Sequence, residues 1–237
     1  MDKLLFDLKP IGIGSNLTES MLSYISRVAN ANGISLRDVV SIIKDDFPQV
    51  STKANKISLA RYGAINGVNS LAKAFSDTIN SLSLNNDVCF MTMLTWAEVI
   101  SARKLIRDSA AWCSQCYQEW KKQKKTIYLP LIWSLNSVEI CKLHRIRLRN
   151  QCPYCKQEMN VFLASANPGY CANCNEWLGL DQWYEHSYTD WDIWAYDNVD
   201  NLIAVAAYTD NPPKKEIIAT NLEAIVNKLV LRNQVSV

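Results

Sequence analysis

Apolar residues near the start of the chain recur every three or four positions, which is the spacing of one face of an α-helix. Between residues 18 and 31 this face consists of Met21, Leu22, Ile25, Val28 and Ala29. Thr18 is in position to cap the start of this helix, and Asn32-Gly33 is expected to end it in left-handed backbone. The pattern therefore predicts an amphipathic helix that packs one side against a core.

A second helix is predicted directly after this turn, because Ser35 and Asp38 have the spacing of a capping box. Its buried side is expected to consist of Val39, Ile42 and Ile43. Two short helices joined by a turn with glycine are typical of a helix-turn-helix or of a small helical bundle. The second helix also carries three acids, so we expect it to dock against protein rather than to read a DNA groove.

Later parts of the chain show further periodic segments. One helix is predicted from Ser70, with Leu71, Phe75, Ile79 and Leu82 on one side, and another over residues 94–107. The apolar stretch from Tyr128 to Trp133 has the composition of a short β-strand. Two more helices are predicted over residues 198–208 and 216–231, with a hinge at residues 210–215 between them.

Seven of the eight cysteines and one histidine form two sets with metal-ligand spacing. The first set is Cys113-x-x-Cys116 with Cys141-x-x-His144, and the second is Cys152-x-x-Cys155 with Cys171-x-x-Cys174. Each pair supplies two ligands from one turn, and two pairs complete a tetrahedron around Zn²⁺. Sites closed by four protein ligands have no position for a catalytic water, so the two expected zinc ions are structural and the chain is expected not to be an enzyme.

A disulfide framework is the alternative interpretation of these cysteines. The N-terminal residues lack the basic start, apolar run and small-residue cleavage site of a signal peptide, and no apolar stretch is long enough to span a membrane. We therefore expect a cytoplasmic protein with reduced thiols, which favours metal. Cys89 lies in the apolar run 88–91 and is expected to be a buried residue.

These patterns together predict a fold that is mainly α-helical with small zinc-ribbon β elements. We expect an N-terminal helical domain resembling a helix-turn-helix over residues 1–110, and tandem zinc fingers over residues 111–180. An aromatic-acidic segment and C-terminal helices would then occupy residues 181–237.

The net charge of +2 hides two opposed blocks. Residues 113–179 contain nine Lys and Arg against four acids, whereas residues 180–200 contain six acids and neither Lys nor Arg. The basic block suits a phosphate backbone or an acidic protein face, although an ordinary solvated surface explains it equally well. The candidate contact residues are Lys121, Lys122, Lys124, Lys125, Lys142, Arg145, Arg147 and Arg149. The acidic block also contains several aromatic residues, and its charge favours packing against protein over contact with nucleic acid.

Three motifs resemble the TniQ family. The helix from Glu19 to Ala29, with the sequence ESMLSYISRVA, is similar to the N-terminal signature of that family. The second motif is Trp112-Cys113-x-x-Cys116, and the third runs from Leu131 through Cys141-x-x-His144 to Cys152-Pro-x-Cys155. The motifs occur in the family's order, and the resemblance covers about residues 4–180.

The resemblance implies a target-selection adaptor of Tn7-like transposons. Such proteins combine an N-terminal helix-turn-helix domain with tandem zinc fingers, and they link a target-recognition device to the AAA+ ATPase TnsC, which recruits the transposase. The length favours the short members, which join a Cascade-type CRISPR effector with its guide RNA to TnsC. Contacts with a DNA backbone are a further expectation, and both a monomer and a homodimer are compatible with the sequence. The alternative is a longer type of relative, called TnsD, that binds a specific DNA sequence itself.

Catalysis finds little support in the sequence. There are only two histidines, of which His144 is assigned to metal, and there is no glycine-rich phosphate-binding loop. ATP hydrolysis would therefore belong to the partner. A zinc-dependent enzyme or nuclease would need a metal with an open coordination position, and the two four-ligand sets argue against it.

Overall fold

A computed structural model describes residues 8–46, 59–82, 87–180, 188–217 and 220 of the chain. Its α-helices are α1 (Met21–Ala31), α2 (Leu36–Asp46), α3 (Ser70–Leu82), α4 (Ser114–Lys122), α5 (Val161–Ala166) and α6 (Asp190–Ala206). Short 3₁₀ helices cover Leu59–Asn66, Val88–Met91, Leu94–Trp96 and Leu131–Ser134. Strands β1 (Ile140–Cys141) and β2 (Ile146–Arg147) form a small antiparallel sheet. The predicted mainly helical class with small β elements is confirmed, and the helix-turn-helix arrangement stays a prediction.

Helix α1 begins at a different cap from the one predicted. The Ser20 hydroxyl accepts a hydrogen bond from the Ser23 amide, so the N-cap is Ser20 and not Thr18. The Thr18 hydroxyl instead donates to carbonyl groups of the preceding loop. At the other end Gly33 has a φ of +68°, and the next amide donates back to the last turn at 3.1 Å. The predicted left-handed end of the helix is confirmed.

A buried ion pair joins Glu19, just before α1, to Arg27 on α1. Glu19 is fully buried, and Arg27 Nε and Nη2 donate to its two carboxylate oxygens, each at 2.7 Å. The Ser23 hydroxyl and the Ile11 amide donate to the same carboxylate at 3.2 and 3.3 Å. A bidentate pair with two further donors compensates for the removal of the carboxylate from water.

Helix α2 has the predicted capping box. The Asp38 amide donates to the Ser35 hydroxyl, and the Ser35 amide donates to the Asp38 carboxylate, both at 3.1 Å. Its buried residues are Leu36, Val39, Val40 and Ile43. The prediction for Ile42 is wrong, because this side chain is 36% exposed. At 100° per residue Ile42 points roughly 110° away from the centre of the buried stripe.

Helix α3 confirms the prediction of a helix from Ser70. The prediction of a helix over residues 94–107 is wrong, because only Leu94–Trp96 forms a short 3₁₀ helix there. Leu71, Phe75 and Ile79 of α3 are buried. After Trp96 the chain continues in turns with local backbone bonds, and its end, at Leu105 and Arg107, bonds to a distant loop. The Arg107 amide donates to the Ser134 carbonyl, and the Asn136 amide donates to the Leu105 carbonyl, both at 2.9 Å. These long-range bonds replace the helical ones.

The strand predicted over residues 128–133 is also wrong. The Leu129 carbonyl accepts from the Ser20 amide at 3.0 Å, and the Leu131 amide donates to the Thr18 carbonyl at 2.7 Å. This pairing with the start of α1 is a single bridge between Glu19 and Pro130, after which the chain turns into a 3₁₀ helix. Pro130 occupies a non-hydrogen-bonded position of this bridge, where its missing amide hydrogen removes no backbone bond.

The buried apolar side chains form two clusters. The N-terminal core combines α1, α2, α3 and the 59–66 turn with Val161 and Phe162 of α5. The metal-site core extends from Met93 to Leu178 and includes Tyr196 and Ile203 of α6. Helix α5 therefore belongs in sequence to the cysteine-rich region but packs against the N-terminal helices. The domain boundaries at residues 110 and 180 stay a prediction.

Helix α6 begins earlier than the predicted start at residue 198. Thr189 and Asp192 form a capping box, with the Asp192 amide donating to the Thr189 hydroxyl at 3.2 Å and the Asp192 carboxylate accepting from the Thr189 amide at 2.7 Å. The Trp96 indole donates to the Leu202 carbonyl at 3.1 Å and ties the helix to the metal-site core. The helix predicted over residues 216–231 falls almost wholly outside the described residues. None of the described helices is both long and apolar enough to cross a membrane.

Candidate metal centres

Three short hairpins present six of the eight predicted metal ligands in the same way. They are closed by the pairs Ile140 with Arg147, Gln151 with Glu158, and Tyr170 with Trp177. In each hairpin the ligands hold the second and fifth positions, and the next residue has left-handed backbone. These left-handed residues are Arg145 (φ 54°), Lys156 (φ 60°) and Asn175 (φ 58°). The tight turn brings both ligand atoms of a pair to one side, and the left-handed residue returns the chain to its partner.

The fourth ligand pair begins helix α4. Trp112 pairs with Arg149 through two backbone hydrogen bonds of 2.9 and 2.8 Å, which places the next residue, Cys113, beside the first hairpin. Cys113 is the N-cap of α4, and its sulfur accepts from the Cys116 amide at 3.4 Å. A helix N-terminus stabilises negative charge, so this position suits thiolate ligands.

The first candidate centre is a compact and buried cluster. His144 Nδ1 lies 3.4 Å from Cys113 Sγ, 3.3 Å from Cys116 Sγ and 3.6 Å from Cys141 Sγ. The sulfurs of Cys116 and Cys141 are 3.7 Å apart. All four residues are buried.

The second candidate centre is more open. Cys152 Sγ lies 3.7 Å from Cys174 Sγ, and Cys155 Sγ lies 3.7 Å from Cys171 Sγ. Cys152 and Cys171 are buried, whereas Cys155 and Cys174 are half-buried. Helix α5 lies between the two ligand pairs of this centre in sequence, so the centre joins the two ends of the segment that contains α5.

The spacing of the donor atoms fits a tetrahedral metal ion. With metal–sulfur and metal–nitrogen bonds of ordinary zinc length, a regular tetrahedron has edges of about 3.8 Å between sulfurs and about 3.6 Å between sulfur and nitrogen. The sulfur–sulfur separations of 3.7 Å and the sulfur–nitrogen separations of 3.3–3.6 Å match these edges. A disulfide requires sulfurs at about 2.05 Å, and all eight cysteines are free. Each cluster could therefore hold a metal ion.

Sequence analysis missed one residue of the first centre, Glu119. Its carboxylate lies 2.9 Å from His144 Nε2, on the side of the ring opposite the sulfurs. A carboxylate in this place holds the proton on Nε2 and leaves Nδ1 free to bind metal. Glu119 follows Cys116 by three residues on α4, and that spacing puts both on one face of the helix.

An aromatic cluster covers the first centre. The Trp120 ring stacks on Tyr128 at 4.9 Å and on Trp133 at 5.7 Å between centroids. Tyr117 packs edge-on against Trp133 at 5.6 Å. Burial, with a further contribution from the cysteines, raises the pKa of Tyr117 well above its usual range, so its phenol stays neutral beside the sulfur ligands.

The predicted basic contact residues do not form one free surface. Lys142 pairs with Asp197 of α6 at 2.5 Å, and Arg147 pairs with Asp192 of α6 at 3.4 Å. The Lys121 ammonium lies 4.2 Å from the centroid of the Trp177 ring. Lys122, Lys124, Lys125 and Arg145 are exposed, whereas Arg149 is half-buried. The acidic block thus neutralises part of the basic block within the chain.

These features define a mainly helical protein with two clusters of cysteine and histidine side chains that could each hold a metal ion. The family model TniQ matches residues 10–148, which is more than half of the chain. The chain therefore belongs to the TniQ family of Tn7-like transposition target-selection proteins, whose members are generally non-enzymatic. A search of curated proteins found no match. The matched residues include α1 and the first metal centre, whereas the second centre, α5 and α6 lie beyond them.

Proposed function

We propose that this chain is a non-enzymatic adaptor that links a target-recognition complex to TnsC, the AAA+ regulator that recruits the transposase. The target-recognition complex would be a Cascade-type CRISPR effector with its guide RNA. The observation that carries the proposal is the match of residues 10–148 to the TniQ family. The adaptor would act in the cytoplasm by recruitment, because its binding to both partners holds the ATPase at the selected target.

We propose further that both clusters hold Zn²⁺ as structural ions. Cys113, Cys116, Cys141 and His144 would hold the first ion, and Cys152, Cys155, Cys171 and Cys174 the second. The donor set supports zinc, since thiolates and an imidazole at tetrahedral spacing are its usual ligands in closed sites. When bound, the ions would supply folding free energy and no chemical step.

The charge arrangement favours an adaptor over the alternative, a sequence-specific DNA reader. Lys142 and Arg147 are engaged by aspartates of α6, so these cations are not free for phosphate contacts. Lys124, Lys125 and Arg145 remain exposed and could contact a DNA backbone. Such contacts would be salt-dependent and insensitive to sequence. An accessory contact of this kind would place the adaptor at DNA without selecting the site.

The proposal is tested by capture of purified TnsC, assembled on DNA with a non-hydrolysable ATP analogue, on the immobilised full chain. We expect TnsC to be retained with the analogue and lost when nucleotide is omitted, while naked duplex DNA is held weakly and released by moderate salt. A Lys124→Gln, Lys125→Gln variant should lower DNA retention and leave TnsC capture unchanged. Tight binding of one DNA sequence, with no capture of TnsC, would instead identify a DNA reader of the TnsD type.

The zinc assignment is tested separately by metal analysis of the purified chain. We expect about two zinc ions per chain, and about one in a Cys152→Ser variant, because three ligands do not form a closed site. Cys89→Ser is the matched control, since Cys89 is a half-buried cysteine outside both clusters and its loss should leave the zinc content unchanged. Full zinc retention in Cys152→Ser would contradict the assignment of the second centre.

A further inference from the structure

Two tryptophans on α6 are exposed, although large aromatic side chains are usually buried. Trp191 is 67% exposed and Trp194 is 56% exposed. Their rings stack on each other with centroids 4.7 Å apart and an angle of 24° between the planes. Exposed aromatic groups that lie together mark interaction surfaces, and tryptophan is the residue most enriched among the residues that dominate binding energy.

The pair is held on a well-anchored helix. Helix α6 is anchored through its buried residues Ala195, Tyr196, Ile203 and Ala206. The ion pairs of Asp192 and Asp197 with the first hairpin, and the bond from the Trp96 indole, fix the helix further. Trp191 and Trp194 therefore cannot turn inward without breaking this packing. The helix that carries them is held in place, so little backbone entropy is lost when a partner binds.

The charge around the tryptophans indicates what kind of partner fits. Residues 188–200 contain four carboxylates and neither lysine nor arginine, and two of these carboxylates, Asp192 and Asp197, are already paired with Arg147 and Lys142. Asp190 lies next to Trp191, is exposed, and has no ion-pair partner within the described ranges. A cationic group can contact the negative face of an indole and a carboxylate at the same time. The chain already uses this contact internally, where Lys121 lies over Trp177 at 4.2 Å.

We propose that the surface formed by Trp191, Trp194 and Asp190 docks an arginine- or lysine-rich segment of a partner protein. Arginine suits the site best, because its planar guanidinium stacks on an indole and forms ion pairs with a carboxylate. The surface lies beyond the residues matched by the TniQ family model, so it is an addition to the family region of the chain. The inference does not depend on the identity of the adaptor's other partners.

The test uses the full zinc-loaded chain and a fluorescein-labelled peptide of alternating arginine and glycine, with binding measured by fluorescence anisotropy. A peptide with glutamine in place of arginine is the ligand control. The double variant Trp191→Ala, Trp194→Ala should weaken arginine-peptide binding by about tenfold or more. Tyr154→Ala, which removes another exposed aromatic ring far along the chain, should leave the binding unchanged. Circular dichroism and zinc content establish that the variants are folded.

Further variants and ligands test whether something other than an arginine-rich segment binds this surface. Asp190→Asn should also weaken binding, and this effect should shrink with added salt. The proposal is overturned if neither peptide binds, if both bind equally, or if the double tryptophan variant binds as the unaltered chain does. It is also overturned if a labelled single-stranded oligonucleotide binds through the tryptophans, which would make them a base-stacking surface. Loss of self-association in the double variant would assign the surface to a second copy of the chain.

Discussion

Replacing Phe162 with alanine tests whether the cysteine-rich region and the N-terminal helices form one cooperative unit. Phe162 lies on α5 and is only 3% exposed. Its ring packs against Tyr62 at 5.4 Å between centroids, and Tyr62 packs in turn against Phe75 of α3 at 6.5 Å. Removing a buried phenylalanine leaves a cavity and typically costs about 3–5 kcal/mol of unfolding free energy. That is a large share of the stability of an ordinary domain.

Leu163 is a matched control for this substitution. It is the next residue on the same short helix and is 40% exposed, so Leu163→Ala should change stability by less than about 1 kcal/mol. Urea unfolding of both zinc-loaded variants, followed by far-ultraviolet circular dichroism, measures the difference. The zinc content should stay the same in both, because neither residue is a candidate ligand. If Phe162→Ala were no more destabilising than Leu163→Ala, α5 would not couple the two cores and the packing argument would be refuted.

Three further perturbations test individual contacts. Glu119→Gln should weaken metal binding at the first centre by about 10–100-fold, measured by competition with a chromophoric chelator, because the carboxylate orients His144; unchanged affinity would remove Glu119 from the site. Glu19→Gln leaves Arg27 without its buried counter-charge and should cost about 3–5 kcal/mol in urea unfolding; a neutral effect would show that the pair is not strongly coupled. A hydrogen bond from the Thr189 backbone lowers the pKa of Asp192 in the folded chain. The ionised Asp192 therefore contributes to folding stability above about pH 4, and this contribution is lost as the pH falls through the lowered pKa. The stability difference between the unaltered chain and Asp192→Asn should therefore narrow below about pH 4, and a difference that widens there would contradict this sign.

The sequence predicted correctly those elements that are stabilised by hydrogen bonds and contacts between residues close together in the chain. The capping box at Ser35 and Asp38, the left-handed end at Gly33 and the buried stripe of α3 each depend on residues within a few positions. The two clusters that could hold metal ions were also predicted by spacing, because each pair of residues must come from one tight turn. The structure brings each predicted set of four together, which spacing within a pair cannot guarantee across the intervening residues.

The elements that sequence analysis mispredicted are those fixed by distant partners. Residues 94–107 have helical periodicity, but their backbone bonds to the loop at residues 134–136. The stretch at 128–133 pairs with the start of α1, a contact that no local pattern reveals. The aromatic residues of α6 gave no indication of which would be buried, because the start of the helix was predicted too late. Glu119 was missed because its role depends on His144, far along the chain.

Helix α5 connects the second candidate metal centre to the core of the N-terminal helices. The hairpins on either side of α5 have few internal backbone hydrogen bonds, so a bound metal ion would contribute much of what holds the ends of this segment together. Helix α5 is too short to be stable alone, and it supplies Val161 and Phe162 to the core that contains α1. Loss of the second ion should therefore loosen the N-terminal helices as well as the cysteine-rich region. The metal centre beyond the matched TniQ residues would then help to stabilise the family's own N-terminal helix.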